Sequence, residues 1–414
     1  MNIPRGLNDL LPEEVLKRRF LENKISQVFK EWGYQEIITP TFEFYEILAK
    51  GAGSVMKREM IKFFDREGNI VALRPEMTTS MARVASTKMQ HMPKPLRFYY
   101  IGNVFRYDNK VGSQRELCQA GVELIGINSC KSDAEVIALA VEGLKNSGLK
   151  KFFIDIGHIN FFNGVMQSIK VEEERKQEIK KAILNKDFVL LEKMLSFSDI
   201  KDKEKEFILK MPTLRGKEEV LEEAEKMINN KLSLSALKEI KEVYNLLRDY
   251  GLEEYILIDL GIIRDFDYYT GIVFEGYTDY LGFPVCGGGR YDNLCSKFSR
   301  DLPSTGFAIG LERLAIILEK ENADSLKLEG PDKYLVYYQN DKTYFKKALE
   351  VAGNLRKMGA IVELEIGRRE FIEVLNYARS KRIKYIVIVD DNPPDKIKRI
   401  EVTSGKEEII NYEQ

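Results

Sequence analysis

The stretch CQAGVELIG, Cys118 to Gly126, reads as a β-strand. Strand side chains alternate between faces, so Gln119, Gly121 and Glu123 share one face and Ala120, Val122 and Leu124 the other. The second set is apolar and suits a core. The first offers an amide, a gap and a carboxylate, the donor and acceptor groups that a small polar ligand needs. An ordinary solvated sheet face would carry the same residues, and the stretch alone leaves both readings open.

Upstream, LRFYYIGNVFRY (Leu96–Tyr107) is a further strand, with Tyr99, Tyr100 and Phe105 ahead of Arg106. An Arg presents a fixed fork to carboxylate or phosphate, or else makes a surface ion pair. KFFDREGNIVALRP reads as a hairpin turning at Glu67-Gly68, and YQEIITPTFE as a strand broken by Pro40. Glu14 to Trp32 reads as a helix stopped by Gly33. Downstream, Ser132-Asp133-Ala134-Glu135 forms a capping box, and Val136, Ile137, Ala140, Val141 and Leu144 then line one helix face. KKFFIDIG is another strand.

From about 160 to 254 the pattern turns helical and heavily charged, with no strand pattern interrupting it, which reads as a helical insertion. Strands resume in YILIDLGII, FDYYTGIVFEGYT and FPVCGGGRYDNL, and TGFAIGLERLAIILEK bends from strand into helix. Residues 1–330 therefore read as one α+β domain carrying the insertion, bounded near Glu329-Gly330-Pro331. Residues 331–414 alternate KYLVYYQ, a helix through Leu355, AIVELEI, a helix through Ser380, and KYIVIVD. That is a βαβαβ pattern, so a C-terminal α/β domain with parallel strands. KRIEVT and EEIINY are candidate closing strands.

At 414 residues the chain suits two or three domains. With 31% charged and 44% hydrophobic residues it reads as a soluble globular protein. A net charge of −1 gives no global electrostatic reason to expect nucleic acid, tRNA included. Cys118, Cys130, Cys286 and Cys295 form no CxxC, and His91 and His158 lie far apart, so neither a metal site nor a cofactor is expected. The opening MNIPRGLNDLLPEE holds no apolar signal region, and no apolar run reaches the length of a membrane span. A cytoplasmic protein with free thiols and no membrane partner is the expectation.

Four further stretches invite a chemical reading. IIRDFDYYTG packs Arg264, Asp265, Asp267, Tyr268 and Tyr269 together, and strand alternation would place Tyr268 with Arg264 and Phe266, opposite Tyr269. GGGRYD (Gly287–Asp292) lacks the spacing of a phosphate loop, so close backbone approach or a turn explains its glycines better. GLERL places Arg313 near a helix start, where an anion could meet it. In LRPEMTTSMARVAST, Met77 and Met81 read as core filler beside Arg74 and Glu76. The residues by themselves point to a small-ligand pocket and leave its ligand unnamed.

Taken in order, PRGLNDLLPEE, GYQEIITPTFE, LRPEMTTSMARV, IGNVFRYD, RELCQAGVELIG, RDFDYYTGIVFEGY, GGGRYDNL and TGFAIGLERL span residues 4–314. The set resembles histidyl-tRNA synthetase and its relatives, which implies a class II synthetase-like antiparallel sheet with helices. The tail then resembles that family's anticodon-binding domain. Two functions share the fold: the synthetase, and the regulatory subunit of ATP phosphoribosyltransferase. Departures from the synthetase pattern favour the second. Met77 stands where synthetases carry Gly, Asp108 where they favour Glu, Cys118 precedes Gln119 where they favour His, and Asp265 replaces Gly. An added Asp265 carboxylate disfavours an adenylate phosphate, and Met77 would crowd the ligand carboxylate.

The resemblance implies a histidine-binding site in which Glu76 and Gln119 hold the α-amino group. Glu123 with Tyr268 or Tyr269 would meet the imidazole, and Arg264 the carboxylate. Arg106 and Arg313 would remain from a vestigial ATP site, with no catalytic residue. It also implies a homodimer within a hetero-oligomer, the short-form ATP phosphoribosyltransferase catalytic subunit as partner, and histidine as effector. Histidyl-tRNA synthetase is the alternative, and a paralogue with an empty vestigial pocket a third reading.

Overall fold

The computed structural model describes residues 2–107, 114–185, 187–196, 200–262, 268–321, 331–338, 342–367, 369–390 and 396–411. The chain divides into two compact units, Met1–Lys327 and Leu328–Gln414.

The first unit is built on a nine-stranded sheet. In spatial order its strands are Gln35–Glu36, Leu96–Phe105, Glu116–Ile125, Ser304–Gly310, Leu281–Arg290, Ile272–Thr278, Phe153–His158, Ile256–Asp259 and Arg215–Gly216. Gln35–Glu36 pairs parallel with its neighbour, as does Ile256–Asp259 with Phe153–His158, and the other pairings are antiparallel. Glu116–Ile125 sits inside the sheet, between Leu96–Phe105 and Ser304–Gly310. Its alternation holds: Ala120, Val122 and Leu124 enter the core on the helical face. There they meet Leu21, Ile25 and Phe29 of helix Pro12–Glu31 and the apolar residues of helix Cys130–Asn146.

The opposite face carries a second apolar cluster, where Met81, Ala82 and Ala85 of helix Thr78–Ser86 join Phe98, Tyr100 and Tyr291. The hairpin is present as Lys62–Phe64 and Ile70–Leu73, and Phe42–Phe44 adds a third strand. Glu43 on that third strand holds the helix: it accepts from Ser80 Oγ at 2.7 Å and from Arg83 Nη2 at 3.0 Å.

Two local expectations are corrected. Helix Cys130–Asn146 starts before the capping box, because Ser129 is its cap and accepts from the Lys131 N–H at 3.2 Å. Ser132 and Asp133 face Arg290 instead, whose guanidinium reaches them at 2.8 and 2.9 Å. The region from 160 to 254 is helical but not strand-free. Arg215–Gly216 pairs with Ile256–Asp259 because Arg215 finds the buried Asp155 carboxylate at 2.9 Å.

The second unit is a five-stranded sheet in the order Ile361–Leu364, Lys333–Tyr338, Tyr385–Val389, Lys396–Glu401, Glu407–Asn411. The first three strands run parallel, and the closing pair adds antiparallel. Helices Lys342–Lys357 and Phe371–Ser380 supply the crossovers.

Candidate functional site

The floor of the site is bare sheet. Gly121, Ala308 and Gly287 lie side by side across three strands, and a Cβ on Gly121 would stand 2.6 Å from the Tyr100 hydroxyl and 2.2 Å from the Phe307 carbonyl oxygen. A Cβ on Gly306 would lie 1.9 Å from Glu123 Oε2. The glycines of GGGRYD serve a strand, not a turn: a Cβ on Gly288 would lie 2.2 Å from the Gly306 carbonyl oxygen. Side-chain-free strands thus make room for the groups that surround them.

Above this floor is a cavity of about 410 Å³, a volume suited to a small ligand. Glu76, Thr78, Tyr100, Gln119, Tyr268, Tyr269 and Tyr291 line it together with Arg106, Glu275, Tyr277, Glu312 and Arg313. Leu184, the last residue of helix Glu173–Leu184 in the insertion, also reaches its wall.

Glu76 precedes helix Thr78–Ser86, and its carboxylate accepts from the Thr79 N–H at 3.0 Å. Burial raises its pKa, while Thr79 and the Arg106 charge oppose the rise. Glu123 lies against floor residue Gly306 and is fully buried. Its Oε2 accepts from the Tyr291 hydroxyl, and its Oε1 has no hydrogen-bond partner. Burial pushes its pKa up to about 8. Tyr268 packs on Tyr269 with centroids 4.8 Å apart and edge-on to Tyr291 at 5.8 Å.

The arginines stand at another part of the wall. Arg106 Nε donates to the Pro75 carbonyl at 2.6 Å, and Arg313 Nη1 to that of Pro284 at 2.8 Å. The Arg313 guanidinium also lies over the Phe283 ring at 4.7 Å. Burial lowers the pKa of both.

The structure therefore brings Glu76, Gln119, Tyr268, Tyr269, Arg106 and Arg313 onto one cavity, with Glu123 beneath. Arg264, with Asp265 and Asp267, lies outside the described residues, as does Asp108. Tyr268 and Tyr269 line the same cavity, not opposite sheet faces, because the strand begins only at Ile272. Met77 stands behind the wall. It is 2% exposed, and its Cε would contact a Cβ placed on Gly102, so it fills core and does not crowd the ligand space.

Tyr291, Glu275 and Tyr277 are wall residues that the sequence reading did not single out. For the last two the signal was present: in IVFEGYT, alternation sets Glu275 and Tyr277 on one face. Tyr277 O–H donates to Glu275 Oε2 at 2.5 Å. Tyr291 follows the glycines, and only the sheet order brings it to Glu123.

Among the described residues, no helix is long and apolar enough to cross a membrane, and no group of His, Cys, Asp and Glu is placed to hold a metal ion.

A family model described as histidyl-tRNA synthetase matches residues 6–314. An ATP phosphoribosyltransferase regulatory subunit from Acetivibrio thermocellus is 38% identical over 401 residues, covering 96% of this chain and 94% of its own. A histidine–tRNA ligase from Methanocaldococcus jannaschii is 38% identical over 416 residues, covering 99% and 97%. A solved structure from Bacillus halodurans, described as an ATP phosphoribosyltransferase regulatory subunit/histidyl-tRNA synthetase, matches with a TM-score of 0.84 at 30% identity, covering 94% and 97%. By the family match over residues 6–314 and identities of 38% along nearly the whole chain, the chain belongs to the histidyl-tRNA synthetase-like family of ATP phosphoribosyltransferase regulatory subunits.

Proposed function

We propose that this chain is a non-catalytic subunit that binds the short catalytic subunit of ATP phosphoribosyltransferase, activates it, and transmits feedback inhibition by histidine. The reaction regulated is the first step of histidine biosynthesis. One observation carries the reading: Glu76, Gln119 and the Tyr268-Tyr269 pair line a single cavity, and Glu123 lies beneath it with one carboxyl oxygen unpaired. A carboxylate and an amide suit an α-ammonium group, and a buried carboxyl with a phenol suits the two ring nitrogens of an imidazole. Arg264 is assigned the ligand carboxylate, and Arg106 and Arg313 are remnants of a nucleotide site. The name carried by the Acetivibrio relative supports the partner. Inhibition requires that histidine bind two quaternary states of the complex, a homodimer of this chain within a cytoplasmic hetero-oligomer, with different affinity.

The test is co-purification with the short catalytic subunit, followed by a histidine inhibition curve. Failure to associate sinks the reading. An unchanged curve in Glu123→Ala sinks the pocket assignment alone.

A second reading, histidine–tRNA ligase, is favoured by the two arginines on the cavity wall and by the Methanocaldococcus relative. Histidine-dependent ATP–pyrophosphate exchange and tRNA charging by the purified chain would establish it and displace the first.

A further inference from the structure

Helix Thr78–Ser86 starts just after Glu76 and runs into residues 87–94, which carry Lys88 and Lys94. Residues 295–300, which carry Lys297 and Arg300, lie against it. Ser86 Oγ donates to the Cys295 carbonyl at 3.2 Å, and Arg300 Nη2 to Gln90 Oε1 at 3.0 Å. Lys50 completes the group. Its ammonium donates to the Lys297 carbonyl at 3.0 Å, and that of Lys297 to the Lys50 carbonyl at 2.8 Å, so two like charges are held side by side. Lys94 is held in the same way, by the Met89 and Met92 carbonyls at 3.1 and 3.0 Å.

Main-chain carbonyls thus fix the ammoniums, and among the described residues no carboxylate pairs with Lys50, Lys88, Lys94, Lys297 or Arg300. Residues 87–94 and 295–300 hold no acidic residue, and the exposed Asp301 follows them. The whole chain has 64 Lys and Arg against 65 Asp and Glu, so the patch is not a product of composition. Like charges held together repel. Burial and the Arg300 charge both hold the Lys94 pKa below its ordinary value. An anionic surface brought from outside would relieve a repulsion that nothing described within the chain relieves.

We infer that this face docks an acidic surface of a partner protein, the short catalytic subunit in the function proposed above. The partner's identity rests on that functional reading; the surface rests on the charges. A protein suits the face better than nucleic acid does. Met92, 49% exposed, and the exposed Pro93 stand among the cations, and interfaces between proteins favour Met and Arg. The Phe298 ring is 6% exposed and already covered by Lys50 at 4.9 Å, so it offers no stacking platform to a base. The position also connects the partner with the cavity. Glu76 stands at one end of the helix whose other end enters the patch. Tyr291, which donates to Glu123, opens the segment that reaches Arg300. A docked partner therefore bears on the two elements that place both carboxyl groups, a contiguous physical path between effector and partner.

The experiment is surface plasmon resonance of the full chain on the purified short catalytic subunit, at low and at physiological salt. Lys297→Glu/Arg300→Glu is compared with Lys231→Glu/Lys238→Glu, an equal charge change at exposed positions of helix Lys231–Asp249. The first variant is expected to associate about tenfold more slowly or worse, with a flatter salt dependence. It is also expected to melt no lower than the parent, because it relieves repulsion. Lys50→Gln, which removes one charge and adds none, is expected to slow association in the same direction. The helix variant is expected to match the parent. Association of the parent with all variants unaffected, or with both double variants equally slowed, overturns the inference and leaves the functional reading standing. A parent that does not associate sinks both. Capture of a short RNA oligonucleotide by the parent, lost in the first variant while the catalytic subunit still binds it at the parent's rate, assigns the face to nucleic acid and overturns the inference.

Discussion

Glu123 keeps its proton up to about pH 8, while an unfolded Glu carboxyl loses it near 4.5. Between those values the folded chain holds the extra proton, so stability falls as pH rises through the interval and levels off above it. Glu123→Gln is expected to remove most of that decline, leaving the smaller share of Asp133, which burial raises to about 6. Urea midpoints for both chains at the two ends of the window check this; parallel declines would exclude Glu123 as the group responsible. Gly306→Ala tests the floor. Its Cβ would fall 1.9 Å from the Glu123 carboxylate and 2.4 Å from the Val122 carbonyl oxygen, both firmly placed. Overpacking of this kind costs roughly 1–3 kcal/mol. The variant is expected to lose that much stability by denaturant titration and, under the proposed pocket assignment, its affinity for histidine with it.

Among elements, the join between helix Cys130–Asn146 and strand Leu281–Arg290 rests on a buried ion pair. Arg290 meets Asp133 at 2.9 Å, Asp292 at 3.0 Å and Ser132 Oγ at 2.8 Å, and it is 4% exposed. Removing one partner strands the other charge, at a cost of about 3–5 kcal/mol. Arg290→Leu is therefore expected to destabilise the chain severely. Arg290→Leu with Asp133→Leu should recover part of the loss, and urea midpoints of the two chains decide. The same join shows what the sequence could and could not convey. The hairpin near Gly68 and the facing of Glu116–Ile125 were legible, because alternation and turn chemistry are local. The helix start was misplaced at Ser132, because a capping pattern gives no sign that a distant guanidinium claims those residues. The pairing of Tyr291 with Glu123 was equally hidden, since no local period links positions brought together by sheet order. Glu76, Gln119, Arg106 and Arg313 were found by motif order, and the cavity walls supplied by Glu275 and Tyr277 only by structure.

For the whole molecule, separate cores in the two compact units imply separate unfolding. Scanning calorimetry is expected to resolve two transitions, with saturating histidine raising only that of the first unit. A single transition, or a shift of both, would mean the units unfold as one. The glycine floor carries a different kind of consequence. Gly287, Gly306 and Gly310 present main chain to the cavity, while Gln119, Glu275 and Arg313 come from three different elements around it and Glu76 from the loop ahead of a fourth. A descendant sequence can therefore exchange rim residues one at a time and change what the cavity accepts. The strands that define the fold need not be rebuilt, so the ligand preference of one scaffold can drift by small steps.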